Sequence, residues 1–236
     1  MRVNRRFQTA LGVLAGLLLL AGCMGALYWL LVPEHFPVHR VELKGNLRHT
    51  SKAELEAALP RGSANFFAAD LAGLRAAVER LPWVRRVSVR RAWPDRIEVY
   101  VEEHAALARW GAGDEMSRLV NSYGETFSGK TTEKLPAFVA PPGTSAEVTR
   151  RYRRFVEILA PLNTSVERVV LTHRHAWQLR LANGLHLMLG RDADQAEGRL
   201  QRFVEIYPSV ERTRKYEYVD LRYPNGFALR APDGSG

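Results

Sequence analysis

The chain has 236 residues, 46% of them hydrophobic and 25% charged, a balance that excludes a disordered or collagen-like polypeptide and allows one large or two small folded domains. Its formal charge is +9, but Arg2, Arg5 and Arg6 stand ahead of a long apolar run, leaving +6 for everything beyond, a modest excess that gives little ground for nucleic-acid binding. The only cysteine, Cys23, lies inside that run, so the remainder has no thiol to act as nucleophile or ligand and none to mispair in an oxidising compartment.

From Thr9 to Val32, 24 residues pass without a charge, more than the roughly 20 needed to cross a bilayer core. Arginines precede this run, while Glu34 and His35 follow it. The positive-inside rule therefore predicts a cytoplasmic tail over residues 1–8, a single transmembrane helix over 9–32 and the rest of the chain on the far side, with Tyr28 and Trp29 near the outer interface. Two alternatives share this span. Leu20-Ala21-Gly22-Cys23 spells a lipoprotein processing site, and an ordinary cleaved signal is the other; the sequence stays apolar for nine residues past Cys23, which favours the permanent anchor.

Past Pro33 and Pro37, Val38 to Leu43 alternates in the period of a half-buried strand, ended by Gly45-Asn46. Ser51 with Glu54 is a capping-box pattern that opens a short helix through Ala58. A second helix is expected from about Ala69 to Arg80, with Leu71, Leu74 and Val78 on one face. Val84–Arg91 and Arg96–Glu102 then form a hairpin about a Trp93-Pro94-Asp95 turn, setting Val87 and Val89 against Ile97, Val99 and Val101. The order β-α-α-β-β makes a small unit with helices over one sheet face.

The second part, from His104, holds more strand than helix. It includes a strand over Arg118–Tyr123, a Gly124 turn and a Pro- and Gly-rich loop from Pro136 to Gly143. Two amphipathic helices are expected, from about Ala146 to Leu159 and from about Asp192 to Tyr207. Between them, Val169 to Leu181 reads as a strand that returns through Leu185, Leu187 and Leu189. A two-residue Asn183-Gly184 loop would mismatch the apolar faces, whereas a three-residue loop pairs Leu181 with Leu185 and Leu179 with Leu187, with Gly184 left-handed. Tyr216–Tyr223 and Phe227–Arg230 are expected as late strands, interrupted at Pro224-Asn225-Gly226. The fold class is α+β: one membrane helix, the β-α-α-β-β unit and a β-rich unit with amphipathic helices.

The sequence carries no Gly-rich phosphate loop and no Gly-x-Ser-x-Gly element. His173 and His175, two apart on the expected strand, are the best metal hint. The natural third ligand, His186, falls opposite Arg180 and points to the other face, so no metal site and no cofactor are expected. The acidic pairs Glu102-Glu103 and Asp192/Asp194 sit at element ends, with no second carboxylate set to converge on them as acid–base chemistry requires. Arg85, Arg86, Arg90, Arg91 and Arg96 form the strongest charge feature beyond the membrane segment. They read as a solvated sheet face, or as an attraction to anionic lipid or an acidic surface.

Several stretches together carry a resemblance. They are Val41-Glu42-Leu43-Lys44-Gly45; Leu81-Pro82-Trp83-Val84 running on to Ala92-Trp93-Pro94-Asp95; Leu119-Val120-Asn121 with Gly124 and Phe127; Trp177-Gln178-Leu179; Leu187-Met188-Leu189-Gly190-Arg191; and Val219-Asp220-Leu221-Arg222-Tyr223 with Gly226. In this order, over nearly the whole chain, the sequence resembles the FtsQ/DivIB family of bacterial division proteins, of the Gram-negative type. The resemblance implies a POTRA domain over 38–103, the family's β domain over 104–231 and a tail over 232–236. It implies a non-enzymatic scaffold of the divisome, set in the cell inner membrane at the septum with its C-terminus periplasmic. It also implies that the last strands receive FtsB, itself paired with FtsL, by edge-strand addition, and that membrane proteins such as FtsK, FtsW and FtsI are further partners. Tyr223 matches the central contact, Asn225 and Gly226 neighbouring ones, and Arg222, Arg174 and Lys215 basic positions facing acidic partner residues. Ala231 stands where some relatives carry tryptophan, a loss that Phe227 is placed to offset.

Independently of any resemblance, a C-terminal strand is commonly an edge, whose unpaired backbone groups another chain can satisfy. Two other classes remain on the residues alone. POTRA-type transport or assembly factors carry a membrane β-barrel, and no long series of alternating apolar strands is present here; an anchored envelope hydrolase would need a convergent catalytic cluster.

Overall fold

The computed structural model describes residues 5–32, 34–59, 65–111, 118–211, 216–223 and 226–231. The chain divides into two compact units, Met1–Glu103 and His104–Gly236.

The first unit opens with helix α1 (Arg5–Leu31). Its leucines are exposed all round, Leu17, Leu18 and Leu19 by more than half, which is the pattern of a helix whose solvent is apolar. The stretch Leu11–Leu31 is long and apolar enough to cross a membrane. After it come β1 (Arg40–Lys44), α2 (Lys52–Ala58), α3 (Leu71–Glu79), β2 (Val84–Ala92) and β3 (Arg96–Glu103).

Local chemistry accounts for the helix starts. The Ser51 hydroxyl accepts from the Glu54 amide at 3.1 Å while the Glu54 carboxylate accepts from the Ser51 amide at 2.8 Å, satisfying two otherwise orphaned donors. Asp70 caps α3 with a single bond, accepting from the Gly73 amide. The strands order β1-β3-β2, with β1 parallel and β2 antiparallel to the central β3. Val87 lies opposite Val101, Val89 opposite Val99 and Val41 opposite Ile97, as the period of two requires. Leu55, Leu74 and Val78 close over that face to form a dry core.

On the other face the basic hairpin is largely neutralised. Glu98 accepts from Lys44 at 2.5 Å, from Arg90 at 2.6 Å and from the Tyr100 hydroxyl at 3.0 Å. Hydrogen bonds from Lys44, Arg90 and Tyr100 hold its carboxyl down at about 2. Arg85 pairs with Glu102 at 2.7 Å and Arg96 with Glu42 at 3.1 Å. Arg91 points the other way, to the carbonyls of Phe66, Phe67 and Ala69. The expected basic face is solvent-exposed, as at Arg86 and Arg90, and at Arg85, Arg90 and Arg96 its charge is balanced by intramolecular ion pairs.

The second unit contains β4 (Ala106–Trp110), β5 (Arg118–Asn121), β6 (Thr126–Ser128), β7 (Ala137–Val139), α4 (Ser145–Leu159), β8 (Val166–Leu171), β9 (Trp177–Leu181), β10 (His186–Gly190), α5 (Ala193–Glu211), β11 (Tyr218–Asp220) and β12 (Ala228–Arg230). They form one nine-stranded sheet in the order β12-β11-β10-β9-β8-β7-β4-β5-β6. Phe155 and Leu159 of α4 and Leu200, Phe203 and Tyr207 of α5 bury themselves against Phe138, Val169, Trp177, Leu179, Leu187 and Val219 of the sheet. Across the two helices, Arg151 bonds Glu197 and Asp194, each at 2.6 Å.

Five local expectations are corrected. The run from Val169 to Leu181 is not one strand: Thr172 accepts from His175 at 2.8 Å and donates to Ala176 at 3.0 Å, a tight turn that separates β8 from β9. His173 and His175 lie in that turn rather than on a strand, with His175 left-handed at φ 57. The Pro- and Gly-rich segment contains β7, held parallel between β4 and β8. Helix α5 runs four residues past Tyr207 with Pro208 inside it, although a proline there lacks the amide donor and crowds the carbonyl four residues earlier. Tyr223 lies beyond β11, which stops at Asp220.

The hairpin register holds. Leu179 faces Leu187 and His186 faces Arg180, the Leu181 amide donates to Leu185 at 2.9 Å, and Gly184 has φ +89, the conformation that a three-residue loop demands and glycine adopts without strain.

Candidate partner-binding edge

The sheet of the second unit has two ends, β6 and β12. β12 pairs with β11 alone, Tyr218 facing Arg230, Val219 facing Leu229 and Asp220 facing Ala228; among the described residues no strand lies on its other side. β11 is inside the sheet, paired in parallel with β10 and antiparallel with β12. The edge is thus β12, one strand further out than the segment bearing Tyr223. Ala228 and Arg230 are exposed and Leu229 is half-buried, so this edge has little to shield its backbone.

Tyr223 is 54% exposed, a large ring that the core does not use, on the segment that joins the last two strands. Gly226 is exposed beside β12. Phe227 differs: its ring sits edge-on to Phe203 with centroids 5.5 Å apart, packed against the core, so it holds β12 to the body of the sheet rather than offering a free anchor. Asn225 and Lys215 lie outside the described residues.

Arg222 and Arg174, 48 positions apart in sequence, line one open concavity of ≈ 790 Å³ with Arg191 and Arg199. The sequence reading missed the last two; Arg191 follows the Leu189-Gly190 pair of β10, and only the fold brings it beside residue 222. Arg222 is also less free than its exposure suggests. Its guanidinium grips Asp220 in a fork, Nε to Oδ1 at 2.8 Å and Nη2 to Oδ2 at 2.6 Å, two residues away on the same side of an extended chain. The pair depresses the Asp220 carboxyl below its ordinary value, chiefly through these side-chain bonds, and raises that of Arg222.

The acidic pairs have structural uses. Glu103 accepts from the backbone amides of Arg48, His49 and Thr50; Asp192 accepts from the Asp194 and Gln195 amides at the start of α5.

Comparison with known proteins places this architecture. The profile described as "POTRA domain, FtsQ-type" matches residues 36–104, and "Cell division protein FtsQ/DivIB, C-terminal" matches residues 108–222. A Burkholderia pseudomallei protein named Cell division protein FtsQ is 39% identical over 96% of this chain and 92% of its own length. Relatives of the same name from Nitrosospira multiformis and Neisseria gonorrhoeae are 41% and 37% identical, covering 79% and 88% of this chain and 78% and 86% of theirs. The chain belongs to the FtsQ/DivIB family. It is a cell-division protein of the divisome, and its first unit holds a POTRA domain.

Proposed function

We propose that the chain is a non-enzymatic scaffold, anchored in the inner membrane by α1 with its tail cytoplasmic and both folded units periplasmic, that recruits or links division proteins at the septum. Residues 38–103 form its POTRA domain and 104–231 its β domain. The β domain takes FtsB, paired with FtsL, as an added strand on β12, and other divisome membrane proteins such as FtsK, FtsW and FtsI are further partners. The observation that carries this reading is the three-residue, thinly covered edge strand at the end of the sheet, with an exposed tyrosine next to it.

Edge addition satisfies main-chain groups along the strand while a few side chains fill pockets. Tyr223 is the anchor, Gly226 leaves room for an incoming backbone, and the concavity of Arg174, Arg191, Arg199 and Arg222 receives an acidic stretch of the partner; Asn225 and Lys215 are further contact residues. Because Arg222 is already forked onto Asp220, Arg174 and Arg191 supply more of the steering charge.

The test is a titration with a purified periplasmic FtsB/FtsL pair. Tyr223→Ala is expected to cost about 2 kcal/mol or more, roughly thirtyfold in affinity, with an unchanged melting curve because the ring is exposed. Wild-type affinity in a well-folded Tyr223→Ala protein would sink the β12 site.

A further inference from the structure

The end of α1 is joined to its unit by more than a linker. The last carbonyls of a helix have no partner within it, and at the rim of a bilayer an unsatisfied carbonyl is costly. Here the Asn65 side-chain amide, 3% exposed, donates to the carbonyls of Leu30 at 2.9 Å and Val32 at 2.8 Å. Its own carbonyl oxygen accepts from the amides of Phe67 and Ala68, so one side chain ties the 65–68 loop to the helix terminus. Phe66 donates its amide to Phe36 at 2.7 Å, and the rings of Trp29, Phe36, Phe67 and Phe66 follow one another edge-on at 5.2–5.6 Å.

The β2–β3 turn belongs to the same corner. Arg91 clamps the carbonyls of Phe66, Phe67 and Ala69, and His39 donates its amide to Asp95 at 3.0 Å. Phe67, edge-on to Phe36, and Trp93, in the turn that the His39 amide meets at Asp95, are 39% and 78% exposed, in the corner where the apolar stretch ending at Leu31 meets the 65–68 loop through Asn65. Large rings exposed at that level find their favoured environment in the interfacial layer of a membrane.

We propose that the Asn65–Ala69 loop and the β2–β3 turn form a lipid-facing seat, in which Phe67 and Trp93 enter the interfacial layer of the membrane that α1 crosses. This rests on the reading of α1 as a membrane anchor. The attraction is assigned to the aromatic rings rather than to charge, because four of the five hairpin arginines, Arg85, Arg90, Arg91 and Arg96, are engaged with Glu102, Glu98, loop carbonyls and Glu42. The seat sets the first unit against the bilayer surface instead of leaving it on a free tether.

The experiment is tryptophan quenching of the full chain in phosphatidylcholine nanodiscs whose acyl chains are brominated near the glycerol backbone. Trp93→Phe and Trp29→Phe proteins isolate the two contributions. Both tryptophans are expected to be quenched, Trp93 by at least about half as much as Trp29, since both rings would share the interfacial layer. Quenching of Trp29 without Trp93 overturns the seat and leaves the anchor standing; quenching of neither removes both. Asn65→Ala is expected to lower the Trp93 contribution by about half or more while sparing Trp29, as loss of two carbonyl bonds frees the loop; an unchanged Trp93 contribution refutes the tie. Replacing a third of the lipid by phosphatidylglycerol is expected to change nothing, and a rise of about twofold would show charge rather than aromatic contact to be the cause.

Discussion

Replacing Phe227 by alanine separates the partner-anchor role that the resemblance implies from the packing role that the structure shows. As a partner anchor alone, the ring would matter only in a complex. Its edge-on contact with Phe203, which is fully buried and lies 4.7 Å from Tyr207, makes it a fastening for β12 in the free protein. A covered phenylalanine buries about 150–250 Å²; half of that, at about 25 cal/mol per Å², is about 2.5 kcal/mol, and the edge-to-face pair adds about 1 kcal/mol. The expected loss is about 3.5 kcal/mol, a fall in melting temperature of about 10 °C or more for a unit of this size. Phe227→Leu keeps most of the area and is expected to lose about 1 kcal/mol, the share of the aromatic pair. Near-ultraviolet circular dichroism melts of the full chain in detergent read both. Partner binding should then weaken in Phe227→Ala and largely recover in Phe227→Leu, because β12 is presented only while it is fastened. A Phe227→Ala protein that melts within a degree of wild type yet fails to bind would refute the fastening and restore the direct-anchor reading.

Two further outcomes follow from the geometry. Glu98 has a folded-state value depressed from 4.5 to about 2, so its ion pairs stabilise the first unit above the ordinary carboxylate range and are lost as pH falls from about 4.5 towards 2; Glu98→Gln should flatten melting temperature against pH across that window, and an undiminished acid slope would show that other carboxylates set it. Gly124 has φ +83, and a Cβ there would stand 2.6 Å from the Ala146 Cα at the start of α4. Gly124→Ala is expected to cost at least about 1–2 kcal/mol from the left-handed backbone alone, and a calorimetric melt that does not move would contradict the close packing of this turn on the helix.

What the sequence by itself determined was whatever depends on neighbours along the chain. The apolar run of α1, the Ser51–Glu54 cap, the Val87–Val101 hairpin and the Leu179–Leu187 register follow from period and turn chemistry, which act within a few residues. The resemblance also extended to the site, yet sequence order alone could not show that Phe227 faces Phe203 or that Arg222 is held by Asp220. Tertiary structure alone decided the parallel pairings: β7, three residues between prolines, has no period to read and exists because β4 and β8 flank it. It also decided which strand is the edge, since β11 gains a second neighbour from β10, some 30 residues earlier. The concavity that joins Arg174 to Arg222, and the Asn65 cap on a helix that ends 34 residues before it, have the same origin. Contacts between distant segments depend on which surfaces meet once loops are closed, and that energy is not written in any local window of the chain.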